Sequence, residues 1–174
     1  MKRLISLDLI IFEWIAKHAS SFEDQKGMTF FKWISKTGDG HLYFVLGTIL
    51  FYFDTTHGAL FFYTAMLAYS LEVPIFLILK RAFKRRRPLE LITQFNSIII
   101  PSDKFSLPSG HTAAAFLMAT IIAHFYPALS IPVYIWASLV GLSRIVLRVH
   151  FPLDVFIGMG LGISFAFISI SILG

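Results

Sequence analysis

Apolar positions fall into long blocks along this chain, and the charged residues gather at the ends of those blocks instead of alternating with them. A short block runs from Leu42 to Phe53. After the break at Asp54-Thr55-Thr56-His57, a longer one runs from Ala59 to Leu79, interrupted by Glu72 and Pro74. Further blocks extend from about Gly110 to Tyr126, ended by Pro127, from about Ile131 to Arg148, and from Pro152 through Gly158, Gly160 and Gly162 to the chain end. A bilayer core of about 30 Å takes about 20 helical residues, so the pattern predicts five crossings. Pro152 suits a first helical position, where its missing N–H costs nothing, and the glycines beyond it permit close helix contact.

The first forty positions read differently. Leu4–Ala16 is apolar but carries Asp8 and Glu13 and follows Lys2 and Arg3. Its internal acids and the lack of a small-residue cleavage site argue against a signal peptide. From Phe22 to Lys36, the aromatic and apolar residues Phe30, Phe31, Trp33 and Ile34 are set among Lys26, Lys32 and Lys36, and the turn Gly38-Asp39-Gly40 ends the segment. Both pieces are expected to be amphipathic helices lying in the interface; if Leu4–Ala16 crosses as well, the crossings number six.

With 56% hydrophobic and 14% charged residues in 174 positions, and a mean hydropathy of +0.74, little is left for a soluble domain. The expected fold is all-α: an integral membrane helical bundle over 1–174, with interfacial helices in 1–40 and a transmembrane core in 41–174. Fifteen Lys+Arg against ten Asp+Glu give a net charge of +5. The uneven placement of the bases favours lipid phosphates and the bilayer as partners over nucleic acid. The absence of cysteine excludes a disulfide, a thiolate nucleophile and a cysteine-based metal site. The 19 Phe are most simply lipid-facing and packing surface.

Alternating crossings bring three polar segments to one face: Lys80–Pro88, Pro108–His111 and Arg144–Asp154. Within the first, Lys80 to Arg87 packs six basic residues into eight positions. If its helix continues to Arg87, then Lys80, Lys84 and Arg87 share a side, and two of them can grip one anion. Ser109 is placed as an N-cap, so free N–H groups near Gly110 point at an anion, and glycine allows close approach. Asp154 can accept a hydrogen bond from one nitrogen of His150 and leave the other to attack phosphorus. His111 can then protonate the departing oxygen, while Lys80, Arg87 and Arg144 stabilise the transition state.

Other residues carry blander expectations. Arg81, Lys84, Arg85 and Arg86 read as a juxtamembrane basic collar, and Arg148 as a snorkelling residue. Asp103 reads as a turn residue, and His18, His41, His57 and His124 as packing residues. Glu72 should be buried and paired. The long loop Leu89–Leu107, with its run Ile98-Ile99-Ile100, reads as a functional loop that touches lipid.

The three segments match the signature K-x6-R-P, P-S-G-H and S-R-x5-H-x3-D, as Lys80 with Arg87-Pro88, Pro108 to His111, and Ser143-Arg144 with His150 and Asp154. The chain therefore resembles the phosphatidic acid phosphatase type 2 superfamily, which also includes vanadium haloperoxidases and bacterial lipid phosphatases. The resemblance covers 80–154, and 1–79 carry no motif of the family. It implies a metal-independent phosphatase without a cofactor, acting through a phosphohistidine at His150. Asp154 would be its partner, His111 the general acid, and Lys80, Arg87, Ser109, Gly110 and Arg144 the phosphate binders. It further implies an anionic lipid substrate such as lipid A 1-phosphate, phosphatidylglycerophosphate or undecaprenyl pyrophosphate. Haloperoxidases are large and soluble, which the hydropathy opposes. The alternative is a non-catalytic lipid-phosphate binding or translocating protein, which would need the cations but not His111, His150 and Asp154 together. The clustered bases point the site to the cytoplasm by the positive-inside rule. Bacterial relatives often place it at the periplasmic face of the inner membrane, and that placement is the expectation here.

Overall fold

The structure is a computed structural model that describes residues 2–20, 25–92, 97–101 and 103–174. Among these residues every regular element is helical: α1 Lys2–Ser20, α2 Gln25–Thr37, α3 Gly40–Phe53, α4 Gly58–Phe83, α5 Pro88–Leu91, α6 Gly110–Phe125, α7 Ser130–Val146 and α8 Pro152–Leu173. A 3-10 turn at Pro127–Leu129 leads into α7. The start of the second amphipathic piece at Phe22 lies outside the described residues.

Among the described residues three helical stretches are long and apolar enough to cross a bilayer: Gly58–Leu91, Pro127–Val146 and Pro152–Leu173. Gly40–Phe53 and Gly110–Phe125 are shorter apolar helices. The short α6 is the bundle's centre. It is enclosed by α4, α7 and α8, and nearly every residue from Thr112 to Ile122 is buried. Protein instead of lipid therefore surrounds it, and the irregular segment Ser106–Ser109 leading into it is buried as well, an arrangement a membrane tolerates only inside protein.

Close packing of α6 on α8 depends on two glycines. A Cβ at Gly162 would stand 2.1 Å from the Ala113 carbonyl oxygen, and one at Gly158 would stand 2.5 Å from that of Ser109. Side chains there would force the helices apart, as small-residue interfaces in membranes imply. Gly160, expected to take part, faces open space.

α1 lies across one end of the bundle. Its Phe12 and Ala16 pack against Ile145 and Phe151, and its Ala19 packs with Met28 against Val146. All three partners belong to the α7–α8 junction, so α1 runs over that junction and not along the bundle. Leu7, Ile10, Ile11 and Trp14 remain exposed on its other side, which is the apolar face an interfacial helix presents to lipid.

One expected geometry is corrected. α4 ends at Phe83, where Lys84 takes a left-handed conformation at φ 46° and ψ 35°. Lys84 and Arg87 thus do not share a helical face with Lys80. Arg87 is instead extended, at φ −80° and ψ 160°, because it precedes Pro88, which opens α5.

Candidate active site

The two signature cations of the first segment meet on one carboxylate. Lys80 Nζ lies 2.6 Å from Asp103 Oδ2, and Arg87 Nη2 lies 2.5 Å from Oδ1. Arg87 also donates from Nε to the Asp103 carbonyl at 3.0 Å and from Nη1 to the Val149 carbonyl at 2.6 Å. Its planar fork thus ties the first segment to the residue preceding His150. Both cations are buried, whereas the Asp103 side chain is 40% exposed. Burial pushes the Asp103 carboxyl up, but the bonds and charges of Lys80 and Arg87 outweigh it and hold the group below its usual range. Asp103, expected to be a turn residue, is therefore a carboxylate resting on the two cations that a phosphate would need.

His150 sits in the α7–α8 junction, 2% exposed, with its backbone N–H donating to the Arg144 carbonyl at 3.2 Å. Its Nδ1 faces Asp154 Oδ2 at 3.6 Å. That is beyond hydrogen-bond range, but close enough for the carboxylate's charge to act. Burial pushes the imidazole down to about 4 against the pull of Asp154, and the charges of Arg144 and Arg87 push the same way as burial. The ring is therefore neutral near pH 7, with a lone pair available for attack.

Asp154 is fixed from several directions. Its Oδ2 accepts the Phe151 N–H at 2.8 Å, closing the first turn of α8, and its Oδ1 accepts Arg85 Nη1 at 2.8 Å. Arg85 reaches further: Nη2 binds Asp8 on α1, and the guanidinium lies 4.4 Å from the Phe151 ring centroid. Asp8 accepts the Leu153 N–H at 2.8 Å with its other oxygen. The order Asp8–Arg85–Asp154–His150 is thus one line of alternating groups that begins on the interfacial helix. Arg85 is not part of a solvated collar, although Arg81, Lys84 and Arg86 are exposed as expected. Arg148 does not snorkel; it is buried, at a left-handed φ of 62°.

The second signature segment meets the third through backbone: the Ser109 N–H donates to the Asp154 carbonyl at 3.0 Å. Ser109 occupies the N-cap position of α6, but its hydroxyl pairs with the Thr112 hydroxyl at 2.9 Å and makes no capping bond. Gly110 turns its Cα toward Phe76, whose ring atom would be 3.0 Å from a Cβ there. Its lack of a side chain eases the contact between α6 and α4 at that point. The first-turn N–H groups of α6 still lack intrahelical partners, as at any helix start.

His111 Nε2 lies 2.9 Å from Asp39 Oδ1, in the turn between α2 and α3. Arg144 Nη1 donates to the Ser35 hydroxyl on α2, and its buried Nε has no partner among the described residues. His111 and Arg144 together form the floor of a pocket of about 460 Å³, whose walls come from α2 and from Ile99 and Ile100.

The eight expected site residues therefore gather at one end of the bundle, joined by the contacts above. Sequence reasoning missed Asp8, Arg85, Asp103, Ser35 and Asp39. Asp8 had a signal: an acid within an apolar stretch is costly unless paired. No group of three His, Cys, Asp or Glu capable of holding a metal ion occurs among the described residues.

Comparison with known proteins places this geometry in context. The model of the PAP2 superfamily matches residues 56–174. The chain is 33% identical over 135 residues to phosphatidylglycerophosphatase B of Bacillus subtilis (strain 168); the match covers 71% of this chain and 62% of that protein, so it spans less than two thirds of the relative's length. The crystal structure of Aquifex aeolicus LpxE is similar at a TM-score of 0.83 and 32% identity, with 95% of both chains covered. A transmembrane PAP2 type phosphatidylglycerolphosphate phosphatase from Bacillus subtilis is similar at a TM-score of 0.75 and 26% identity, covering 99% of this chain and 87% of that one.

Proposed function

Because the chain belongs to the PAP2 superfamily, we propose that it is an integral membrane phosphatase that removes a terminal phosphate from an anionic lipid through a phosphohistidine at His150. The observation that carries the reading is the buried His150 facing Asp154 at 3.6 Å, beside an Arg87 that is bonded to the Val149 carbonyl.

The lipid's terminal phosphate displaces the Asp103 carboxylate from Lys80 and Arg87, exchanging one anion for another. Asp154 favours the tautomer with the proton on Nδ1, so Nε2 of His150 attacks phosphorus. The P–N bond forms as the ester P–O bond breaks, and His111 gives its proton to the departing oxygen. Lys80, Arg87 and Arg144 offset the charge on the equatorial oxygens, and the free first-turn N–H groups of α6 would add to this. Water then attacks the phosphohistidine, His111 takes its proton, and inorganic phosphate leaves with His150 restored. Phosphatidylglycerophosphate, lipid A 1-phosphate and undecaprenyl pyrophosphate are the lipids this site would accept. The reading places the site at the periplasmic face of a bacterial inner membrane; its bases are needed for phosphate, so their one-sided clustering does not oppose that placement. Cysteine labelling at Ile100 and Thr55 in intact cells tests that placement, and labelling at Thr55 alone would reverse it.

The decisive experiment follows inorganic phosphate release from phosphatidylglycerophosphate by purified protein in chelator. The unaltered protein releases phosphate and forms an acid-labile phosphoenzyme, and His150→Ala does neither. Release that persists in His150→Ala would remove the mechanism.

A further inference from the structure

The pocket above His111 and Arg144 is larger than the reacting phosphate needs, and its walls hold cations outside the signature. Thr29, Lys32, Trp33 and Lys36 of α2 line it; at spacings of three and four they form one face of that helix. The Lys36 ammonium lies 5.2 Å from the Trp33 ring centroid, a contact that steadies it near the pocket. Among the lining residues Lys32, Lys36 and Arg144 are cationic and Asp39 alone is anionic, so the pocket has a surplus of positive charge. Asp39 is engaged by His111, and Arg144 presents a buried Nε without a partner among the described residues. Lys80 and Arg87 form a separate cluster, already neutralised in part by Asp103. The site end thus holds two groups of cations, one lining the pocket with His111 and one on Asp103. The pocket's outer edge is apolar, with Ile100 94% exposed and Trp33 65% exposed, as suits a ligand whose remainder stays in lipid.

We infer that Lys32 and Lys36 of α2 form a second anion subsite beside the reacting centre, which takes the non-reacting phosphate or phosphodiester of a lipid carrying two phosphorus groups. The inference rests on the phosphatase reading and narrows its substrate class: two-phosphorus lipids are bound at both the reacting centre and the α2 lysines, whereas a lipid with a single monoester engages only the reacting centre. α2 is held in place for this by the Arg144 bond to Ser35 and by Gly38, where a Cβ would stand 2.8 Å from Val140.

The test compares phosphatidylglycerophosphate, which carries a monoester and an internal diester, with phosphatidic acid, which carries the monoester alone. Both are presented to purified protein in uncharged detergent micelles. In the double variant Lys32→Gln/Lys36→Gln, KM for phosphatidylglycerophosphate should rise about tenfold with kcat nearly unchanged, equivalent to about 1.4 kcal/mol, while KM for phosphatidic acid shifts less than about twofold. Inorganic phosphate should inhibit both forms alike. Equal losses on both lipids would make the lysines a general headgroup collar, and no loss on either would leave them without a subsite; each result overturns the proposal. Weaker inhibition by inorganic phosphate in the variant would assign α2 to the product and overturn it too. If the unaltered protein releases phosphate from neither lipid, the phosphatase reading itself falls and takes this one with it.

Discussion

The two ends of the bundle use the same residue types to different effect. At the end away from the site, Asp54 accepts the Thr56 and His57 N–H groups at 2.9 and 3.1 Å and the Tyr126 hydroxyl at 2.6 Å. Its carboxylate mainly closes its own turn, and His57 beside it is about half exposed. At the site end Asp154, Asp8 and Asp103 take partners from distant segments, and most of the charged groups involved are buried. A local, exposed pair contributes about 0–1 kcal/mol, whereas breaking a buried pair leaves an uncompensated charge at a cost of about 3–5 kcal/mol. Charge at the far end therefore shapes a turn. At the site end the charges hold one another in position, and removing one disturbs the rest.

The sharpest way to break this comparison is to neutralise one aspartate at each end. Asp154→Asn should lower phosphate release by about 10³-fold or more, since it loses the group that orients the imidazole, while Asp54→Asn should stay within about twofold. Similar losses at both ends would erase the distinction. Arg85→Gln comes next: an outer partner of a reacting group is worth about 10- to 100-fold. The loss should fall on kcat with KM nearly constant, and Arg85→Lys should recover part of it. A change in KM alone would make Arg85 a substrate-binding residue instead of a positioning one. A smaller and opposite effect is expected for Asp103→Asn. Freed of a competing carboxylate, Lys80 and Arg87 should bind lipid phosphate tighter, lowering KM by about three- to tenfold; a raised KM would show that Asp103 builds the phosphate site.

The smallest effect concerns protons. His150 is held near 4 in the folded chain against about 6.5 when unfolded, so burial favours the neutral ring. Its contribution to stability is complete above about pH 6.5 and is lost progressively as pH falls toward about 4. An NMR titration of the ring should read close to 4, and thermal unfolding should begin to shift downward only below about pH 6.5. A reading of 6.5 would mean that the ring is open to water.

Much of this was legible in the sequence. The apolar blocks located the long helices, and the signature spacings picked out eight residues that the fold gathers at one end of the bundle. Arg85 was not legible, because nothing in a run of six bases separates it from Arg81 or Arg86. Its direction is set by the left-handed turn at Lys84, a conformation sequence does not favour there. The approach of Phe76 to Gly110 was not legible, since Phe76 lies on another helix. Asp103, Ser35 and Asp39 come from turns and from a helix without any motif, and only tertiary packing brings them to the cations and to His111. What a spacing rule conveys is which residues lie on one element; which elements lean on each other is a property of the assembled bundle.

The bond between Asp8 and the Leu153 N–H joins positions 145 residues apart. During translation, the carboxylate on α1 has to wait at the membrane surface until α8 has been inserted. A nascent chain that stalls before residue 150 leaves Arg85 with Asp8 alone and lacks both His150 and Asp154. Assembly of this cluster is thereby tied to the synthesis of α8, so products truncated before Leu153 should lack both the Asp8–Leu153 and the Arg85–Asp154 contacts.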